Sequence, residues 1–141
     1  MITDCGTDFT HETIPAILAY ADAVVVVAAA SVDEATLAGE TLDMVAALGY
    51  PELAAQAVVV VQSVSRGPVD VGEVAAHFRG RARAVVRIPR DPHLAEGSVI
   101  EPGRLAPATR RAAVELGAAV MSGVVDRGAS PAVRVAGGDR G

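Results

Sequence analysis

Asp4, Gln62 and the turn Pro89-Arg90-Asp91-Pro92 are the residues whose types and placement can do chemistry. Each follows a short apolar run, at the point where a strand gives way to a loop. Met1-Ile2-Thr3-Asp4 reads as the end of a strand, and Cys5-Gly6-Thr7-Asp8 as the loop behind it. A carboxylate at the end of a buried strand, followed by a glycine-containing loop, can hold a nucleotide-bound Mg2+ through water. The same pattern also makes an Asx-turn or a cap for the next helix. Gln62 offers an amide, donor and acceptor together, which suits a base edge as well as it suits plain solvation. Pro89 has no N–H and ends its ladder, and Asp91, directly before Pro92, is pushed to an extended backbone. A stiff loop of this kind suits recognition of a flat ring. It also makes an ordinary tight turn.

Other chemistries find less support. His11, His77 and His93 share no ligand spacing with one another or with Cys5, which argues against a metal site built from them. There is no Ser-His-Asp pattern with an elbow, and no Cys-His pairing. Arg66, in the loop Ser65-Arg66-Gly67-Pro68, can reach a phosphate or simply face solvent. Asp8 reads as a cap for the helix near Thr10. The phosphate-cradling run of glycines closed by Lys-Ser or Lys-Thr is absent, and the chain contains no lysine.

The elements that must position these residues alternate. Thr10 to Ala21 places Ile14, Ile17, Leu18 and Ala21 at helical spacing, with Pro15 near its start. Ala23 to Val27 is an unbroken β-branched run, which predicts a central strand covered on both faces. Ser31-Val32-Asp33-Glu34 is a capping box, and its helix carries Leu37, Leu42, Val45 and Leu48 before Gly49 stops it. Ala57 to Val61 repeats the buried-strand pattern and ends at Gln62-Ser63. Asp70-Val71-Gly72-Glu73 opens a short helix to about Phe78, and Ala84 to Ile88 is the next strand. Pro107 starts a helix to about Val124, with Val114, Leu116, Ala118, Val120 and Met121 available for burial. The order β-α-β-α-β-α-β-α predicts an α/β fold, a partial open parallel sheet of about four strands with helices on both faces. Residues 1–125 read as one domain and 126–141, rich in Gly, Ala, Arg and Pro, as a flexible tail.

Composition narrows the class. The chain of 141 residues is 51% apolar but only 3% aromatic, so Val, Ala and Leu must fill its core. A net charge of −5 argues against nucleic acid as a partner. The lone cysteine, Cys5, excludes an internal disulfide, and the start lacks the basic and apolar pattern of a signal peptide. The longest apolar run, Ala23 to Ala30, falls short of the ~20 residues that span a bilayer. These features predict a cytoplasmic location without a membrane helix.

Ile2-Thr3-Asp4-Cys5-Gly6-Thr7-Asp8, Ala23–Val27 with Ser31-Val32-Asp33, Val58–Gln62 and Ile88-Pro89-Arg90-Asp91-Pro92 together resemble one family. They look like the carboxyl-terminal half of the MinD/ParA-like ATPases, P-loop proteins with a deviant Walker A motif. The run from Asp91 to Gly97, then Arg104-Leu105 with Pro107, Thr109 and Arg110, is similar to actinobacterial members associated with type VII (ESX) secretion. The resemblance covers roughly Met1 to Val124, and the Pro-Arg-Asp-Pro turn with the helix after it is its most specific segment.

The resemblance implies that Asp4 closes a Walker B-like strand and acts on the magnesium shell. It implies that Gly6 and Thr7 lie in a loop that senses the γ-phosphate. It also implies that Gln62 contacts adenine, and that Pro89, Arg90 and Asp91 pack around the base. ATP and Mg2+ are the cofactors of the complete family domain. Two departures stand out: the family commonly has Asn where this chain has Gln62, and its switch glycine lies four residues past the aspartate, whereas Gly6 lies two past Asp4. The family's phosphate loop, on an earlier strand, has no counterpart here. Backbone N–H groups and a lysine supply most of the electrostatic stabilisation of phosphoryl transfer. The chain by itself is therefore expected to hold no cofactor firmly and not to hydrolyse ATP. A parallel sheet cut at Asp4 exposes an apolar edge. That edge predicts a homodimer, or pairing with the missing amino-terminal half, alongside a partner from a secretion or positioning apparatus. A non-catalytic interaction module with a vestigial nucleotide site is the alternative.

Overall fold

Three strands of the computed structural model are consecutive neighbours in one parallel sheet, β1 (Val25–Ala29), β2 (Val58–Gln62) and β3 (Ala84–Ile88), in the order β1-β2-β3. The structure describes residues 1–6, 13–63, 71–97 and 99–129. Thr7, Asp8, the Ser65–Pro68 loop with Arg66, and 130–141 of the expected tail lie outside these. The register is unshifted, Val25↔Val58↔Ala84 through Ala29↔Gln62↔Ile88, so the three carboxyl ends form one row.

Helices α1 (Thr13–Tyr20), α2 (Val32–Ala47), α3 (Pro51–Ala55), α4 (Val71–His77), α5 (Pro92–Ala95) and α6 (Pro107–Ala129) complete the described elements, with a 3-10 turn at Pro102–Arg104. Ser31 starts α2 by accepting the Glu34 N–H at 3.2 Å, while its own N–H goes to Ala29 O at 2.8 Å. Gly49 ends α2 at φ +100, where the Gly49 N–H bonds Ala46 O and the Tyr50 N–H bonds Val45 O. A side chain at that φ is strained, which is why glycine serves there.

Val26, Ala28, Val59 and Val61 point to one face of the sheet, where Ala35, Ala38, Leu42, Val74 and Phe78 cover them. Ile14 and Leu18 of α1 extend this layer through Val45, Leu53 and Ala54. On the other face α6 packs over β3 and β2, burying Val58, Val60 and Val86. β2 is thus buried along both faces, as parallel-sheet strands are.

Several expectations need correction. The strand expected at Met1–Asp4 does not form, so the sheet has three described strands rather than four; Met1 and Ile2 are fully exposed. An apolar pair such as Met1-Ile2 makes a strand only with a ladder partner and a face to bury, and it meets neither. The run Ala23–Val27 is not central among the described strands: the strand lies at Val25–Ala29, at the outside of the order β1-β2-β3, with Val25 and Val27 exposed on the face that α6 leaves open. Leu37 of α2 and Leu48, its C-cap, are exposed while Ala35, Ala38 and Gly39 turn inward. The same inversion occurs in α6, where Val114 and Met121 face solvent and Thr109, Ala112 and Gly123 are buried. In α2 the small residues share the inner line with Leu42 and Val45, which are buried as their spacing predicts. Helix α6 also continues to Ala129, past the expected end near Val124.

Candidate functional site at the carboxyl ends of the strands

Parallel strands in register carry their last residues to a common rim, and here that rim holds Ala29, Gln62 and Ile88. The chain is stitched together just beyond it. Ala30 N–H bonds Gln62 O at 3.0 Å, and Ser63 N–H bonds Ile88 O at 3.0 Å. Gln62 is half-buried and, by the alternation of β2, lies on the same face as Val58 and Val60. Pro89 follows Ile88 directly, half-buried, and Arg90 is exposed. The fold therefore brings Gln62, Pro89 and Arg90 to one rim.

Asp91 is placed differently from a ligand-facing carboxylate. It is 3% exposed, and both oxygens are engaged. Oδ1 accepts the His93 N–H at 2.9 Å as the N-cap of α5, and Oδ2 accepts the Ala106 N–H at 2.9 Å, just before α6. The Thr109 hydroxyl, on the first turn of α6, faces the same carboxylate and is the largest cause holding its pKa below the ordinary value. The Ala106 amide adds to this and burial opposes it. Thr109 Oγ1 is buried and stands outside strict hydrogen-bond geometry to any group, so this contact is electrostatic more than directional. Asp91 is thus the anion at two helix N-termini, where the dipoles favour negative charge.

A second cluster stands beside it. His93 is buried, its Nε2 accepts the Glu101 N–H at 2.9 Å, and its Nδ1 lies 3.0 Å from Glu96 Oε2. An amide N–H can only donate, so Nε2 carries the lone pair and the ring proton sits on Nδ1, directed at Glu96. Arg104 holds both Glu96 oxygens, at 2.9 and 3.0 Å. Sequence reasoning missed His93, Glu96, Arg104 and Thr109 as a group. The spacing of His93 and Glu96, three apart after a helix-starting Asp-Pro, was the available signal.

Asp4 and Gly6 lie in a local turn rather than at the end of a strand. Asp4 is exposed, and its Oδ1 accepts the Gly6 N–H at 2.9 Å with Gly6 at φ +65. This is the local turn that an aspartate two residues before a glycine makes readily. Thr7 lies outside the described residues. Among the described residues, no helix is long and apolar enough to cross a membrane.

No protein-family model matches the chain, and no solved structure does. Among curated proteins it is similar to the ESX-1 secretion-associated protein EspI of Mycobacterium tuberculosis, in strains CDC 1551 / Oshkosh and H37Rv. Each is 35% identical over 124 residues, which cover 85% of this chain. The chain spans only 19% of the length of these relatives, so it is homologous to a segment of EspI.

Proposed function

We propose that the chain is the base-side segment of a MinD/ParA-like ATPase domain whose parent couples ATP-dependent dimerisation to type VII (ESX) secretion or to positioning. The observation that carries this reading is the register Gln62↔Ile88, which sets Gln62 beside the Pro89-Arg90 turn at the carboxyl rim of a parallel sheet. Ligands of open α/β sheets bind at that rim. The similarity to a segment of EspI supports the secretion part of the reading.

In this reading Gln62 offers its amide to the adenine edge, and the backbone of Pro89 and Arg90 lines the ring. Asp91 acts behind them, by holding the turn. Asp4, with Gly6 and Thr7, belongs to the Mg2+ and γ-phosphate side, which becomes competent when a phosphate loop is supplied. ATP and Mg2+ are then cofactors of the assembled domain. The test is an amide-resolved NMR titration of this chain with adenosine, and with ATP with and without Mg2+. The expected result is a shared set of shifts at Gln62, Ser63 and Arg90, with adenosine and ATP alike and no need for Mg2+. No shift at these residues at millimolar adenosine overturns the base-side assignment, and tight Mg2+-dependent binding of ATP overturns the absence of a phosphate site.

A second reading, a non-catalytic interaction module, is favoured by the open edge of β1. Val25 and Val27 are 41% and 63% exposed on the face that α6 covers elsewhere. A second copy of the chain or another segment of the longer protein would cover them. Light scattering with apolar-dye binding checks this: a monomer at high concentration that binds no dye rules the open edge out as an interface.

A further inference from the structure

We propose that His93 is a proton-operated latch: as a neutral imidazole it ties the Glu101 amide to α5, and on gaining a second ring proton it lets Glu101 and the 3-10 turn behind it go. The geometry is specific. Among the described residues the Glu101 N–H is held by Nε2, at 2.9 Å, and the ring is 5% exposed. A proton added at Nε2 turns the acceptor into a donor facing a donor, so the bond is replaced by repulsion. An amide that has lost its partner turns to water instead, which favours a loop opened away from the ring.

The surrounding charges set how the latch responds. On α5 itself Glu96 meets Nδ1 at 3.0 Å. Arg104, on the 3-10 turn, donates to both Glu96 oxygens. Asp91, at the head of α5, holds the His93 backbone N–H; the Glu101 side chain, at the start of the turn, is exposed. From α6, Thr109 faces Asp91, while Arg110 and Arg111 are exposed. Arg87 of β3 and Arg90 beyond it are exposed too. Asp91 keeps its grip on Ala106 whatever the ring does, so opening is confined between α5 and the start of α6. The latch is independent of any nucleotide.

The experiment is an NMR titration of the full chain from about pH 8 to about pH 5, across the range in which histidines change charge. It follows the two imidazole nitrogens of His93 and the amide of Glu101. The expected result is the Nδ1–H tautomer at the upper end, and a Glu101 amide whose shift follows the protonation of His93. Its exchange, corrected for intrinsic pH dependence, should become about tenfold faster when the bond is lost. In Glu96→Gln, which removes the carboxylate charge but leaves the ring and its Nε2 contact, the ring and the Glu101 amide should still move together. In His93→Gln the Glu101 step should vanish; if that variant does not fold, the unsubstituted chain and Glu96→Gln decide. An Nε2–H tautomer at high pH, or a Glu101 amide that stays protected while His93 titrates, overturns the latch.

Discussion

Asp91 Oδ2 accepts the backbone N–H of Ala106 at 2.9 Å, so a residue that ends one loop also starts the helix on the far side of the next. With Oδ1 on the His93 amide, one carboxylate organises the entries of α5 and α6. The rim carrying Gln62, Pro89 and Arg90 therefore depends on a side chain that need not touch a ligand.

Replacing that carboxylate should loosen both helix starts. Asp91→Ala leaves two amides without an acceptor, and buried unpaired donors cost more than the bond itself is worth. Asp91→Asn keeps one acceptor and should fall between it and the parent in urea midpoint. Thr109→Val, which removes a hydroxyl with no strict partner, should be mildest. Hydrogen exchange at Ala106 locates the effect. Unchanged protection of that amide in Asp91→Ala would remove Asp91 from the role assigned to it.

The same carboxylate predicts an acid-side loss of stability. Its pKa is lowered in the folded chain, chiefly by the Thr109 hydroxyl and the Ala106 amide. The stabilisation is complete above the unfolded value of about 3.9, and it is lost as pH falls through the lower folded value. Urea midpoints measured from about pH 6 to about pH 2 should fall on the acid side, and fall less steeply in Asp91→Asn. Equal slopes in the two proteins would assign the acid loss to other carboxylates.

Some of this was legible in the sequence and some was not, for physical reasons. The β-branched runs before Gln62 and Pro89 marked β2 and β3 closely, because a buried parallel strand needs a continuous apolar run. The run before Ser31 misled, because Ala23–Val27 looks buried whether or not a neighbour strand is present. The turn sequence invites a place for Asp91 beside the base, while its carboxylate caps α5 and reaches the start of α6. Its bond to Ala106 joins distant residues, and nothing local encodes that. In α6 the apolar residues lie nearly all round the helix, so their pattern does not tell that Ala112 and Gly123 fall on the inner line while Val114 and Met121 face solvent. His93 lacks metal-ligand spacing, although its relation to Glu96 is visible in the sequence.

Phe78 tests where the core lies. It is fully buried just beyond α4 and packs with Val59, Val61, Val74 and the α2 residues. In a chain with so few aromatics no neighbour is large enough to refill its space. Phe78→Ala should cost about 3–5 kcal/mol in urea unfolding, the transfer loss plus a residual cavity. A loss of only about 1 kcal/mol would mean that the layer over β1 and β2 collapses freely, as a loosely packed core does.

Gly39 gives the sharpest local test. It lies in the middle of α2, where glycine is normally unfavourable, and a Cβ there would come within 2.8 Å of Arg81 Nη1 and 3.3 Å of His77 Nε2. The space is used by Arg81, whose Nη2 donates to Gly39 O at 3.2 Å and pairs with Asp43 at 2.7 Å. Gly39→Ala gains about 1 kcal/mol of helix propensity. It loses a carbonyl bond worth about 0.5–1.5 kcal/mol. The ion pair adds little, because Asp43 is largely exposed. The net change should therefore stay within about 1 kcal/mol, since the guanidinium is the movable end of a flexible side chain. The coupling between Arg81 and Asp43 is what should disappear. A double-mutant cycle with Arg81→Met and Asp43→Asn should give about 0.2–1 kcal/mol in the parent. In the Gly39→Ala background it should give nothing. Equal coupling in both backgrounds would show that Arg81 reaches Asp43 by a path that Gly39 does not open.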